Sequence, residues 1–319
     1  MELRVLRYFL AVAREESISR AAESLHLTQP TLSRQIMELE AELGIRLLNR
    51  GKKNRKVTLT DEGKLFRKRA EELVELADKM RSEFSVTEGP VSGDIYIGSG
   101  ETEAMCLIAK AATELQKEYP HIRYHLFSGN AADVTERLDN GLLDFGILVG
   151  EADLTMYDHL PLPVTDVWGV LMRKDSPLAE KSSVSRKDLS AIPLILSQQS
   201  LSSNELSGWY GGAFAESNVV ATYNLIYNAA LMVASGFGYA VTLDKLVNGS
   251  SELCFRPLAP KLEARLSIVW KKHRGFSRAT ELFLQKLRCL IHPDDQQSET
   301  VGEITFSDCF LGINGELLT

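Results

Sequence analysis

The chain has 319 residues, of which 44% are hydrophobic and 25% charged, and carries a net charge of −7. This is ordinary globular composition, long enough for two or three domains with their own cores. Four cysteines, Cys106, Cys254, Cys289 and Cys309, form no C-x-x-C pair, which argues against a disulfide framework or a zinc knuckle. The opening "MELRVLRYFLAVAREES" has charges through its apolar part and no small-residue cleavage site, so it does not read as a signal peptide. No apolar run approaches a membrane span, and the expectation is a cytoplasmic protein with no membrane partner.

The charge is unevenly distributed. Residues 1–87 hold 17 Lys+Arg and 14 Asp+Glu; the rest hold 19 and 29. Within residues 46–69 there are 10 basic and 2 acidic side chains. An acidic body with a basic head points to a polyanionic partner for the head alone.

Leu3, Leu6, Leu10 and Ala13 recur at helical spacing, with Phe9 alongside, and predict a first amphipathic helix. Ser17 and Ser19 are alternative N-caps for a second helix with Ala21, Ala22 and Leu25 inward. After the break "HLT", Thr28 is placed to cap a third helix with Pro30 in its first turn, where a missing N–H costs nothing. Leu32, Ile36 and Leu39 face inward at i, i+4, i+7, while Gln29, Thr31, Ser33 and Arg34 gather on the opposite face. Two short helices joined by a tight turn, the second polar near its start, is the helix-turn-helix arrangement, whose second helix reads base edges in the major groove. An amide matches adenine, a guanidinium matches guanine or phosphate, and hydroxyls match either. Next, "RLLNRGKKNRKVTLT" places a basic turn between two β-like segments. Arg50, Lys52, Lys53 and Arg55 there would follow the phosphate backbone, adding affinity rather than sequence choice. A solvated amphipathic helix and a solvated basic loop are the bland alternatives; the run's place directly after the candidate recognition helix weighs against them.

The stretch "SRAAESLHLTQPTLSRQIMELEAELGIRLLNR…VTLTDEG" resembles the N-terminal domain of LysR-type transcriptional regulators, and the resemblance continues more loosely to about residue 292. It implies that Gln29, Pro30, Thr31, Ser33 and Arg34 are the positions that read double-stranded DNA, with Arg50, Lys53 and Arg55 as the wing; Ser19, Thr28 and Lys52 are further candidate DNA contacts beside them. It also implies RNA polymerase as a further partner.

Thr60 is placed to cap a helix with Asp61 and Glu62 in its first turn, favourable at the positive end of the dipole, and Gly89 and Pro90 stop it. Phe66, Ala70, Leu73, Ala77, Met80 and Phe84 form a heptad seam on a helix about 40 Å long. The seam predicts pairing with a second copy, since recognition helices usually read paired half-sites. The resemblance implies the same, in a homodimer or homotetramer.

From residue 89, short apolar runs alternate with helical patterns: "DIYIGS", "EAMCLIAKAATELQKEYP", "IRYHLFSG", "ADVTERLDNG", "LDFGILVG", and later "WGVLMRK", "PLILSQ", a helix near 205–217, "ATYNL", "NAALMVASGFG" and "YAVTL". This βα order predicts parallel sheets with a ligand site beyond the carboxyl ends of the strands. The resemblance implies two periplasmic-binding-protein-like subdomains, I at 89–162 with 267–292 and II at 163–266, with a small-molecule effector in the cleft. Strand-end positions nominate Ser99, Gly100, Glu101, Thr102, Ser128, Gly129, Asn130, Ser197, Gln198, Tyr223, Asn224 and Thr242. Individually, Thr102 reads equally well as an N-cap and Asn130 as a turn residue. Residues 99–102 are expected to open a helix, a place suited to anions. Glu101 there would repel a simple acid and hold an amine, so the expected effector is small and polar, bearing both carboxylate and amine.

No cofactor, metal or catalytic residue is called for. "GSGETE" lacks the third glycine of a nucleotide loop, no G-x-S-x-G elbow occurs, and "HIRYH" lacks the glutamate of a zinc helix. A catalytic body and a transporting solute-binding module are the rival readings; the basic head argues against the second. Residues 293–319, "PDDQQSETVGEITFSDCFLGINGELLT", form a polar linker and a hairpin-like end with no functional account. The expectation is an α+β multidomain protein. A winged helix-turn-helix (1–60) is followed by a dimerisation helix (61–88), an α/β two-subdomain effector domain (89–292) and an extension.

Overall fold

The computed structural model describes residues 1–49, 56–83, 91–150, 154–190, 192–198, 204–211, 218–247 and 251–292. The basic run 50–55, the seam residue Phe84 and the 293–319 extension lie outside them. The chain divides into two compact units at Val86/Thr87.

The first unit begins with α1 (Leu3–Glu15), α2 (Ile18–Ser24) and α3 (Gln29–Leu43). Ser17, not Ser19, caps α2: its side chain accepts from Arg20 N. Thr28 caps α3, accepting from Thr31 N, and α3 ends at Gly44, whose φ of +70° suits a residue without Cβ. Leu32, Ile36 and Leu39 are buried against Leu6, Phe9, Val12, Ala21 and Ala22. The wing strands β1 (Leu48–Asn49) and β2 (Thr58–Leu59) pair antiparallel. Helix α4 (Asp61–Glu83) starts where Thr60 Oγ1 accepts from Gly63 N at 2.9 Å.

The seam expected on α4 divides. Ala70 is buried in the head's own core, and Phe66 packs edge-on to Phe9 at 5.0 Å. These two positions face α1 within the same chain, which corrects their assignment to a partner. Leu73 and Met80 are exposed, as are Leu65 and Leu76, which the heptad reading left out. The cause is the period: a straight helix drifts about 20° per heptad, so one seam does not hold its azimuth along the helix.

The second unit builds one half on β3 (Ser92–Ser99), α5 (Met105–Glu118), β4 (His121–Ser128), α6 (Ala131–Asp139) and β5 (Phe145–Val149), with β3 parallel to both β4 and β5. The long strand β6 (Tyr157–Arg173) then crosses to the other half. That half holds β7 (Val184–Ser185), α7 (Arg186–Leu189), β8 (Leu194–Ser197), α8 (Asn204–Tyr210), β9 (Val219–Tyr223), α9 (Ile226–Ala234), β10 (Tyr239–Leu243) and β11 (Leu253–Ala259). Strand β12 (Glu263–Lys271) returns antiparallel to β6, and α10 (Arg278–Ile291) closes the first half. The larger apolar cluster of each half is distinct, the two dividing between Leu162 and Trp168 on β6 and between Ala264 and Leu266 on β12. The helix expected near 205–217 spans Asn204–Tyr210, with 212–217 outside the described residues.

Candidate functional site

On α3, Gln29, Pro30, Thr31 and Arg34 are exposed beside the cap residue Thr28, and Ser19 is exposed on α2. Ser33 is half-buried, on the flank of this face rather than at its centre. The Thr31 hydroxyl lies 2.8 Å from that of Thr28, and Arg34 Nε donates to Glu38 Oε1 at 2.8 Å, which steers the guanidinium along the helix surface. A residue the sequence reading missed ties this helix to the wing: Glu40 Oε1 accepts from Leu47 N at 2.8 Å and Leu48 N at 3.0 Å.

In the second unit, the carboxyl ends of β3, β4, β8 and β9 converge on a cavity of about 70 Å³. Of the twelve nominated residues, Gly100, Glu101, Gly129, Asn130, Ser197, Tyr223, Asn224 and Thr242 line it. The other four are placed elsewhere. Ser99 is buried and donates to the Gly100 carbonyl; Thr102 is buried and donates to Asp166 Oδ2 at 2.6 Å; Ser128 and Gln198 are exposed outside the lining. Strand-end position alone did not separate these four; Ser99 and Thr102 spend their hydroxyls on the adjacent backbone and on β6, and Ser128 and Gln198 face solvent.

The sequence reading missed the apolar wall: Val149, Trp168, Ile226, Leu243 and Leu246. The strand-end rule would have found Val149 and Leu243, the last residues of their strands. Asn130 both lines the cavity and caps α6, accepting from Asp133 N at 3.0 Å. Burial pushes the Tyr223 phenol above its usual range, and its OH donates to the Val241 carbonyl at 2.7 Å.

Residues 99–102 do not open a helix, contrary to expectation, since α5 starts at Met105 after a turn. Glu101 instead reaches across the cleft and accepts from Ile226 N, the first residue of α9. A carboxylate at a helix N-terminus is favoured by the dipole. Glu103 pairs with Lys245, so residues 101, 102 and 103 each bind the opposite half or the crossing strand.

Asp166, on β6 at this junction, is almost fully buried. Burial, opposed by the Thr102 hydrogen bond, pushes its carboxyl up to about 6; Asp244 and Glu103 add to the rise and Lys245 resists it. Between the ordinary carboxylate value and pH 6 the folded chain binds a proton that the unfolded chain does not, so stability rises as pH falls. Between pH 7 and 5 this amounts to about 1 kcal/mol, or about 2–4 °C in unfolding midpoint. Asp188, held down to about 2 by Lys181 and Ser185, does not titrate in that window. Thermal scans of Asp166→Asn should lose this rise; an identical pH profile in both proteins would exclude Asp166 as its source.

Among the described residues no group of His, Cys, Asp and Glu has the arrangement of a metal site, and no helix is long and apolar enough to cross a membrane.

Residues 88–290 match the family described as the LysR substrate binding domain, and residues 3–64 match the bacterial regulatory helix-turn-helix protein, lysR family. A similar curated protein is the HTH-type transcriptional regulator YvbU of Bacillus subtilis, 27% identical over 89% of this chain and 97% of its own length. Another is the Hca operon transcriptional activator HcaR of Escherichia coli, 29% identical over 85% and 92%. Among solved structures, full-length CbnR complexed with its target DNA superposes with a TM-score of 0.70 at 20% identity, covering 90% of this chain and 99% of that one. With both halves matched in the expected order, the chain belongs to the LysR family of bacterial transcriptional regulators.

Proposed function

We propose that this regulator reads double-stranded DNA with the exposed N-terminal face of α3 and the wing, pairs with a second copy along α4, and responds to a small polar effector held in the cleft. The carrying observation is the cavity itself: it lies at the carboxyl ends of parallel strands from both halves, where open α/β folds bind ligands. The exposed stripe Leu73, Leu76 and Met80 supports pairing, as a homodimer or a dimer of dimers. An effector that binds one relative placement of the two halves better than another shifts the population toward it. RNA polymerase contact and a cytoplasmic location belong to the same reading.

Footprinting on DNA upstream of the gene, across a salt series, tests it. Protection of a symmetric site that survives competitor DNA is expected. Arg34→Ala should then cost about 1–3 kcal/mol on that site and relax its sequence preference, with little change on random DNA. Equal losses on both DNAs would remove Arg34 from sequence reading.

A further inference from the structure

Helix α3 carries a carboxylate beside the guanidinium proposed to read DNA. Glu38 follows Arg34 by four residues and Gln35 by three, the spacings at which side chains on one helix meet. Both of its oxygens are engaged: Oε1 accepts from Arg34 Nε at 2.8 Å, and Oε2 accepts from Gln35 Nε2 at 2.9 Å. The carboxylate is thus held from two sides.

This pair does little for the helix itself. The Arg34 and Glu38 side chains are 77% and 52% exposed, and an ion pair so open to water contributes little to folding. The order, arginine before glutamate, is also the less favourable one along a helix. Its consequence falls on Arg34. A guanidinium meets two acceptors at once either through Nε and a terminal nitrogen or through its two terminal nitrogens. Glu38 occupies the Nε edge, and neither terminal nitrogen has a protein partner among the described residues. The terminal fork that remains fits the O6 and N7 acceptors of guanine in the major groove. A phosphate fits the same fork, but there it lies close to the Glu38 carboxylate and is repelled, whereas the guanine edge carries no net charge.

Resting on the reading of this face as the DNA-reading surface, we propose that Glu38 is a positioning residue for sequence recognition: it holds Arg34 by the Nε edge, directs the terminal fork to a guanine, and disfavours phosphate in that fork. Choice at that base pair belongs to the Arg34–Glu38 pair rather than to Arg34 alone. Without Glu38, the freed guanidinium grips any phosphate in reach, gaining affinity on every sequence and losing choice.

The test is selection of bound duplexes from a randomised double-stranded pool by the full-length protein, with affinity for random duplex measured across a salt series. The unaltered protein is expected to select a guanine at one position of each half-site, and Arg34→Ala to lose that preference. Glu38→Ala should lower the preference about tenfold. It should also bind random duplex more tightly, with a salt slope steeper by about 1. Glu38→Gln keeps a side-chain carbonyl that accepts from Arg34 Nε and removes the charge. It should retain most of the guanine preference and share the gain on random DNA, a split between choice and affinity that a merely structural role would not produce. Adding Glu38→Ala to Arg34→Ala should cost no further preference. Full guanine preference in Glu38→Ala would overturn the inference. So would weaker binding of random DNA by that variant, or a further loss of preference in the Arg34→Ala background. Arg34→Ala that keeps the guanine preference, or an unaltered protein that selects no guanine, defeats the reading of Arg34 on this face as well.

Discussion

Phe145→Ala will lower the stability of the second unit by about 3–5 kcal/mol. The ring is fully buried at the start of β5, with ring centroids 5.4 Å from Phe276, 5.5 Å from Phe283 and 6.1 Å from Trp270. Those partners lie on β12, on α10 and on the segment between them, so the ring fastens the returning chain to the β3–β5 sheet. Alanine leaves a cavity that the three aromatic partners, packed on one another and on their own elements, do not collapse to fill. The same strand ends at Val149 in the cleft wall, so ligand binding should weaken along with stability. Urea denaturation followed by tryptophan emission measures the change. Phe145→Leu, nearer in volume, should recover most of it. A loss under about 1 kcal/mol for alanine would mean the aromatic cluster is not what holds the two segments together.

Glu40→Ala will weaken DNA binding on every sequence alike. Glu40 projects from α3, and its carboxylate accepts from two consecutive backbone N–H groups, Leu47 and Leu48, at the entry to the wing. Both of those residues are buried, and removing the carboxylate strips each N–H of this acceptor, at about 1–3 kcal/mol per orphaned donor. The face of α3 proposed to read DNA keeps its own cap at Thr28, so base preference should persist. The wing's register to that helix should be lost, and with it part of the salt dependence that phosphate contacts produce. Binding isotherms on specific and random DNA across a salt series read this directly. An unchanged salt slope with intact affinity would show that the wing holds its place without Glu40.

Head and cleft were legible in the sequence to different degrees. The helix-turn-helix could be read almost to the residue, because its determinants are local: a cap at Thr28, Pro30 in the first turn, and inward positions Leu32, Ile36 and Leu39 at helical spacing. The seam on α4 was misread in part for a related reason. Periodicity shows which residues are apolar but not which of two surfaces each one meets, and Phe66 and Ala70 meet α1. In the cleft, the βα order indicated which strand ends converge, and eight of twelve nominated positions do.

What the sequence by itself determined is therefore the architecture and the α3 face, since capping, helical period and βα alternation act over a few residues or one supersecondary unit. Tertiary structure alone decided how the cleft is wired. Glu101 meets Ile226 across 125 residues of chain, Thr102 meets Asp166 across 64, and Trp168 is walled in by β10. Those contacts depend on two strands crossing between separate cores, and the burial that raises Asp166 and orphans the Trp168 indole N–H exists only once both cores have packed.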